Sequence, residues 1–295
     1  MSQSQILRAM TTDGTARVLV INSTGIVREA QKIHQTAPTA TAALGRLLTA
    51  TSMLGSLMAE KEETLTIGVQ GDGIMGKLLV VSDYYGNVRG YVENPLADPP
   101  LKENGKLDVG GAVGQGILYV IHSLGGGEPQ TGMIALQSGE IAEDIAAYYA
   151  SSEQVPTVCA LGVLVDTDYT CRAAGGVLIQ LLPFPSEETV GKLEENARKL
   201  TQVSSMVDAG MTLEEMMALV LDGIPYDLFD TIDVDYLCTC SRERMLQGIT
   251  SLGREQVEEL LAEQVAEGKA EELTATCRFC NAEYSFNKET LLENL

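Results

Sequence analysis

Four cysteines near the C-terminus, in two close pairs, limit most strongly what this chain can fold into. Cys238 and Cys240 form a Cys-x-Cys pair, and Cys277 and Cys280 form a Cys-x-x-Cys pair. A structural Zn²⁺ takes four tetrahedral ligands, often two from each of two short turns. We therefore predict that these four thiolates hold one Zn²⁺ ion, and that the fold of a small C-terminal domain depends on it.

The spacing leaves two interpretations of this site open. Bound thiolates remain nucleophilic, so an oxidant can convert them to disulfides and release the metal. The sulfurs of Cys238 and Cys240 are close enough along the chain to pair with each other. A zinc site that is only structural has the same spacing, and the spacing does not decide between the two.

The excess of acidic over basic residues argues against nucleic acid as a partner. The chain has 295 residues, with 20 lysines and arginines against 41 aspartates and glutamates, so its formal net charge is −21. Nucleic-acid binding needs a basic surface, and this balance argues against it. The length suits one large domain and a smaller one.

The first residues and the apolar runs predict the compartment. Residues 1–5 have neither the basic nor the apolar segment of a secretory signal. No run of eighteen apolar residues is present to span a bilayer. Because thiols are expected rather than disulfides, we expect a reducing compartment, the cytosol, and no membrane partner.

Hydrophobic periodicity predicts an α+β core domain over residues 1–185. Residues 38–58 are apolar around most of a helical circumference, which indicates a buried helix. Alternating apolar and polar residues elsewhere predict a mostly antiparallel sheet, with one further helix at 140–151. The predicted strands are 18–21, 65–70, 77–82, 88–92, 117–122, 131–137, 157–165 and 176–182.

The other residues that could carry catalysis form no pattern typical of an enzyme. Residues 71–76 read Gly-x-Gly-x-x-Gly, but strand residues follow, so a glycine-containing hairpin is predicted rather than a phosphate loop. His34 and His122 are interpreted as surface or satisfied interior residues. Cys159 and Cys171 are interpreted as buried or incidental thiols. We therefore expect no catalytic residues.

A helical linker is predicted over residues 186–232, between the core domain and the cysteines. Ser186 can cap a first helix, and Thr212 with Glu215 forms a capping box for another. Methionines adapt to many apolar shapes, which suits promiscuous binding, although an ordinary linker packed on the core has the same pattern. The methionines of this segment are Met206, Met211, Met216 and Met217.

The last segment, residues 233–295, is predicted to be the zinc module. Helices are expected at 241–247 and 254–267, and a small hairpin is expected to hold the second cysteine pair at its turn. Tyr284 and Phe286 come soon after that pair and could pack over the sulfurs. Because so small a module has little core, removal of the metal should unfold it.

With these features, the whole chain resembles the heat shock protein 33 family of redox-regulated chaperones. The resemblance rests on the Cys-x-Cys pair, the Cys-x-x-Cys pair, their spacing, and the order of sheet domain, linker and zinc module. It implies an ATP-independent holdase, not an enzyme, that is inactive when reduced and zinc-bound. Peroxide or hypochlorous acid would form the disulfides Cys238–Cys240 and Cys277–Cys280 and release the zinc.

The resemblance also implies the consequences of oxidation. The zinc module and the linker unfold, the exposed apolar surface binds unfolding client proteins, and the active form is commonly a homodimer. Two other classes remain open. A thiol-disulfide oxidoreductase using Cys277 and Cys280 would need a thioredoxin-like βαβ context, and a zinc-ribbon nucleic-acid or partner-binding module would need a basic surface.

Overall fold

The computed structural model describes residues 4–200 and 202–295, which divide into two compact units. The first unit ends at Leu237 and the second begins at Cys238. The predicted α+β fold class is confirmed, because antiparallel sheets and helices build the first unit and the four cysteines cluster in the second. Within the described ranges, no helix is long and apolar enough to cross a membrane.

The described part of the first unit contains ten strands and seven helices. In chain order these are β1 (Ser4–Thr11), β2 (Ala16–Asn22), α1 (Thr24–His34), α2 (Pro38–Gly55), β3 (Thr64–Gly71), β4 (Lys77–Asp83), β5 (Val88–Val92), α3 (Val109–Val113), β6 (Gly116–Ser123), β7 (Gln130–Ala135), α4 (Ala142–Ser151), β8 (Thr157–Val165), β9 (Cys171–Leu181), α5 (Glu187–Ala197), α6 (Val203–Asp208), α7 (Leu213–Val220) and β10 (Tyr226–Val234).

Two antiparallel sheets enclose the core of this unit. The first has the strand order β10-β1-β2-β9-β8, and the second has the order β5-β4-β3-β6-β7. Helix α2 packs against strands of both sheets, and nearly all of its residues are buried. It is the predicted buried helix, although it ends at Gly55 rather than at residue 58.

The glycine-rich stretch at 71–76 is a hairpin turn, as predicted. The flanking residues Gln70 and Lys77 pair across β3 and β4. A Cβ atom on Gly71 would lie 1.9 Å from the carbonyl oxygen of Val113 in α3. Glycine is needed there because the two backbones pass so close, and a strand rather than a helix follows the turn.

The two histidines and the two remaining cysteines have contacts of their own within the first unit. His34 Nε2 lies 2.9 Å from a backbone carbonyl oxygen, and His122 Nε2 lies 3.1 Å from Glu63 Oε2. Cys171 is buried and Cys159 is half-buried. Burial raises the pKa of Cys159 to about 12 and that of Cys171 to about 11. That none of these residues is catalytic stays a prediction.

The segment predicted as a helical linker, residues 186–232, is helical only in its first part. Ser186 caps α5, and Thr212 forms the predicted capping box of α7 with Glu215. From Tyr226 onward the chain forms β10 instead, a strand that no sequence pattern predicted and that pairs with β1. The segment belongs to the first compact unit, and the three-part division of the chain by function stays a prediction.

Helices α5, α6 and α7 cover one apolar face of the first sheet. Met216 and Met217 are buried there, and Met206 and Met211 are partly buried against the same cluster. We call this cluster the linker core. Its buried members are Leu7, Ala9, Ala16, Val18, Val20, Val177, Ile179, Leu193, Leu200, Val203, Met216, Met217, Val220, Leu221 and Ile224.

The second unit is small and has a correspondingly small core. Its predicted helices and hairpin are confirmed, and a short C-terminal helix comes after them. A domain of this size buries little apolar surface, so it depends on further stabilisation. Its elements are α8 (Arg242–Thr250), α9 (Arg254–Ala266), β11 (Glu272–Thr276), β12 (Glu283–Asn287) and α10 (Lys288–Glu293). Its buried core is Val257, Leu261, Phe286 and Leu291.

Candidate metal centre

The second cysteine pair lies in the turn of the hairpin β11–β12. The N–H of Cys277 donates to the carbonyl oxygen of Ala282 at 2.9 Å, and the N–H of Asn281 donates back to the carbonyl oxygen of Cys277 at 2.8 Å. Asn281 has a φ of 58°, in the left-handed region that asparagine tolerates better than most residues. This tight turn brings the sulfurs of Cys277 and Cys280 to the same end of the hairpin.

The first cysteine pair precedes α8 and is held by side chains of that helix. Arg244 Nη1 donates to the carbonyl oxygen of Thr239, the residue between the two cysteines, at 3.0 Å. Arg242 Nη2 donates to the carbonyl oxygen of Ser285 in β12 at 2.7 Å. The same guanidinium stacks over the ring of Phe286, 4.4 Å from its centroid. These contacts fasten the Cys-x-Cys turn to the hairpin that carries the other pair.

The four sulfur atoms converge on one point. All lie within 4.8 Å of one another, with Cys238 Sγ 3.7 Å from Cys277 Sγ and Cys240 Sγ 3.4 Å from Cys280 Sγ. A tetrahedral ion with metal–sulfur distances of about 2.3 Å separates its ligands by about 3.8 Å. The residues present therefore fit a single four-coordinate metal ion.

The surroundings of the sulfurs raise the pKa of Cys238 and lower that of Cys240. Burial raises the pKa of Cys238, although the backbone N–H of Cys240 acts against it. Burial also opposes ionisation of Cys240, but hydrogen bonds from Tyr284 and the neighbouring thiols outweigh it and lower the pKa to about 7. The Tyr284 hydroxyl lies 3.2 Å from Cys240 Sγ, and that hydrogen bond raises the tyrosine pKa to about 12. Metal ligation requires thiolates, and the surroundings of Cys240 favour one.

The sequence pattern identified the four cysteines but not most of the side chains that hold them in place. Tyr284 contacts a sulfur, as predicted, but the prediction for Phe286 was wrong, because its ring lies in the buried core of the unit. Arg242 and Arg244 were missed. Their roles depend on the direction of each side chain in the folded unit, and the residue pattern after Cys240 has no signal for it.

Comparison with known proteins gives consistent matches over nearly the whole chain. The family described as "Hsp33 protein" matches residues 4–287. The 33 kDa chaperonin of Alkaliphilus metalliredigens is 42% identical over 289 residues, 98% of this chain and 97% of that protein. The 33 kDa chaperonin of Geobacillus kaustophilus is 43% identical over 287 residues, 97% of this chain and 95% of that protein.

A solved structure also matches this chain over nearly its whole length. The crystal structure of the 33 kDa chaperonin (heat shock protein 33 homolog) from Thermotoga maritima superposes with a TM-score of 0.89 and 32% sequence identity, and the match covers 99% of this chain and 97% of that one. The resemblance stated from the cysteine spacing and the segment order is thereby confirmed. On the family match, the identities and the shared fold, this chain belongs to the Hsp33 family of chaperones.

Proposed function

We propose that this chain is a redox-regulated, ATP-independent holdase that binds unfolding proteins under oxidative stress. In the reduced state its four thiolates hold one Zn²⁺ ion, and after oxidation the disulfides Cys238–Cys240 and Cys277–Cys280 take the place of the metal bonds. The observation that carries the proposal is the convergence of four sulfurs in a unit with a buried core of four side chains. Membership of a chaperone family supports it.

Zinc is the metal that this donor set favours. Four thiolates are typical of zinc or of iron–sulfur sites. Sulfur separations of 3.4 and 3.7 Å leave room for one ion but none for the several atoms of a cluster. Bound there, Zn²⁺ would neutralise thiolate charge and add its binding energy to the folding of the unit.

The oxidation step balances with peroxide as the oxidant. One peroxide accepts two electrons from one cysteine pair, and the two thiolates become a disulfide while the peroxide and two protons become two water molecules. Two peroxides therefore oxidise Cys238 with Cys240 and Cys277 with Cys280. No thiolate then remains to hold the ion, and one Zn²⁺ is released.

Loss of the metal should unfold the second unit. The binding free energy of a structural zinc is of the order of 10–16 kcal/mol, which is as large as the whole stability of an ordinary domain, about 5–15 kcal/mol. Val257, Leu261, Phe286 and Leu291 form a core too small to replace that contribution. We therefore propose that oxidation converts this unit from a folded to an unfolded state.

The linker core supplies an apolar surface that could receive clients. In the folded chain α5, α6 and α7 cover the apolar face formed by residues such as Val18, Val20 and Val177. Helices of six to eleven residues are marginal on their own, so they depend on this packing. We propose that they release the face after zinc is lost, that clients bind there, and that the active form is a homodimer in the cytosol.

The two rival classes gain no support from the geometry. Cys277 and Cys280 lie between two strands, whereas the thiols of a thioredoxin-like enzyme are activated at a helix N-terminus. The net charge of −21 opposes binding to nucleic-acid phosphates. We accordingly propose a chaperone that is neither an enzyme nor a nucleic-acid-binding protein.

One sample measured before and after peroxide at mild heat tests the proposal. Zinc content, free thiols and suppression of aggregation of a thermally unfolding client are measured together. We expect zinc and four thiols to disappear as suppression begins, and Cys277→Ser to lose zinc without oxidant. Cys159→Ser, a thiol outside the cluster, is the matched control and should behave as the wild type. Zinc loss without any suppression would leave the metal a purely structural role.

A further inference from the structure

A cavity of about 450 Å³ lies within the first unit, between its two sheets. Strands of both sheets line it, together with the end of α2 and part of α4. Leu54, Leu57, Leu65 and Val120 form an apolar wall. Small-molecule pockets are typically about 300–1,000 Å³ and combine apolar walls with a few oriented polar groups. This cavity has that volume, and polar side chains such as Arg17, Tyr149 and Gln180 line it beside the apolar wall.

Arg17 of β2 contributes a guanidinium to this cavity. Its Nε donates to Oε1 of the fully buried Gln180 at 2.9 Å, which fixes the plane of the guanidinium. In the part of the chain that the structure describes, Arg17 forms no ion pair, although acidic residues outnumber basic ones by about two to one. Burial lowers the pKa of Arg17, so its charge is partly removed from water. A desolvated guanidinium, which stays charged, favours a counter-ion.

A second donor beside Arg17 can bind the same counter-ion. Tyr149 of α4 lines the cavity, and its hydroxyl has no hydrogen-bond partner among the described residues. Burial raises the pKa of Tyr149, so the hydroxyl remains a donor at neutral pH. Glu153 also lines the cavity and accepts a tyrosine hydroxyl at 2.8 Å. Its negative charge adds to the effect of burial on the Tyr149 pKa, so the Tyr149 hydroxyl keeps its proton. His122 is already paired with Glu63.

We propose that this cavity binds a small organic monocarboxylate with an apolar body. The carboxylate accepts hydrogen bonds from Arg17 and Tyr149, and the apolar body lies against Leu54, Leu65 and Val120. An inorganic anion would leave the apolar wall uncovered, and a neutral apolar molecule would leave the guanidinium unpaired. A free acid and the C-terminal carboxylate of a peptide both supply this chemistry.

Titration calorimetry on the reduced full-length chain tests the assignment. Octanoate represents the free acid, N-acetyl-leucyl-leucine represents a peptide C-terminus, and acetate and octan-1-ol each lack one half of the chemistry. We expect octanoate, the dipeptide or both to bind saturably and more tightly than acetate or the alcohol. Arg17→Met should weaken that binding about ten- to a hundredfold, and Tyr149→Phe about two- to tenfold. Arg198→Met, at an exposed arginine, is the matched control and should change nothing.

Each outcome of the titrations has one meaning. Binding of octanoate alone identifies a free acid, and binding of the dipeptide alone identifies a peptide C-terminus. Absence of saturable binding by either at millimolar concentration overturns the proposal, as does equal binding of octan-1-ol or an unchanged affinity in Arg17→Met. If circular dichroism finds Arg17→Met unfolded, Tyr149→Phe, which keeps the aromatic ring, and Arg17→Lys take its place. None of these readouts depends on zinc or on oxidation.

Discussion

Replacement of Phe286 by alanine would test how far the metal centre depends on its small apolar support. The ring of Phe286 is fully buried and is one of four side chains in the core of the second unit. Arg242, which fastens the first cysteine pair, stacks on the same ring. Truncation of a buried phenylalanine to alanine typically costs about 3–5 kcal/mol.

That cost should reappear almost entirely as lost zinc affinity. When a metal folds the domain that binds it, any free energy removed from the folded form is removed from the apparent binding free energy. Each 1.4 kcal/mol is about tenfold in a binding constant, so Phe286→Ala should weaken zinc binding about a hundredfold to a few thousandfold. The variant should also release zinc and become active at lower peroxide concentration.

Competition with a chromophoric zinc chelator, on reduced protein at neutral pH, measures this shift. Phe184→Ala is the matched control, because Phe184 is 100% exposed and belongs to the first unit. Its zinc affinity should equal that of the wild type. If Phe286→Ala bound zinc as tightly as the wild type, the reasoning that metal and core share one folding equilibrium would be refuted.

Three further substitutions probe the first unit. Met217→Ala removes a fully buried side chain from the linker core and should lower the free energy of unfolding by about 2–5 kcal/mol. We expect this variant to suppress client aggregation measurably without peroxide. Gly191→Ala adds a methyl group on α5, and no atom lies within 4 Å of that position. The substitution should stabilise the helix by about 0.5–1 kcal/mol. It should therefore raise the temperature at which peroxide activates the chain, which light scattering of an aggregating client measures. Hydrogen bonds from Thr189 and from the backbone of Thr15 hold the pKa of Asp13 well below its ordinary value. The ionised Asp13 therefore stabilises the folded state above about pH 4, and this stabilisation is lost as the pH falls through the lowered pKa. The thermal midpoint of the wild type should therefore fall more than that of Asp13→Asn between about pH 5 and pH 2.5.

Local patterns carried most of what the sequence could predict. The buried helix α2 is apolar around its circumference, and the capping box at Thr212 and Glu215 depends on residues three positions apart. The hairpin that holds Cys277 and Cys280 is likewise a short-range structure. Each of these signals lies within one element, so no knowledge of the rest of the fold was needed.

The elements that were missed are those that distant contacts stabilise. Strand β10 has mostly exposed side chains and therefore shows no alternation of apolar and polar residues. It is held by its backbone ladder with β1 and by the ion pair of Arg8 with Asp230, 222 residues apart. The supports of the metal centre, Arg242 and Arg244, were missed for the same reason. Their partners are fixed only once the hairpin and α8 have packed.

The position of β10 has a consequence for the proposed switch. The segment that carries α5, α6 and α7 is held at both ends, because Ser186 donates its N–H to Thr15 Oγ1 at 3.0 Å and Tyr226 begins the ladder with β1. Unfolding that leaves β10 in place would uncover the linker core while the chain stays tethered on either side of it. A tethered segment gains less conformational entropy on release than a free tail does. We therefore expect release of these helices to depend on heat or on clients that occupy the uncovered face, as well as on the loss of zinc.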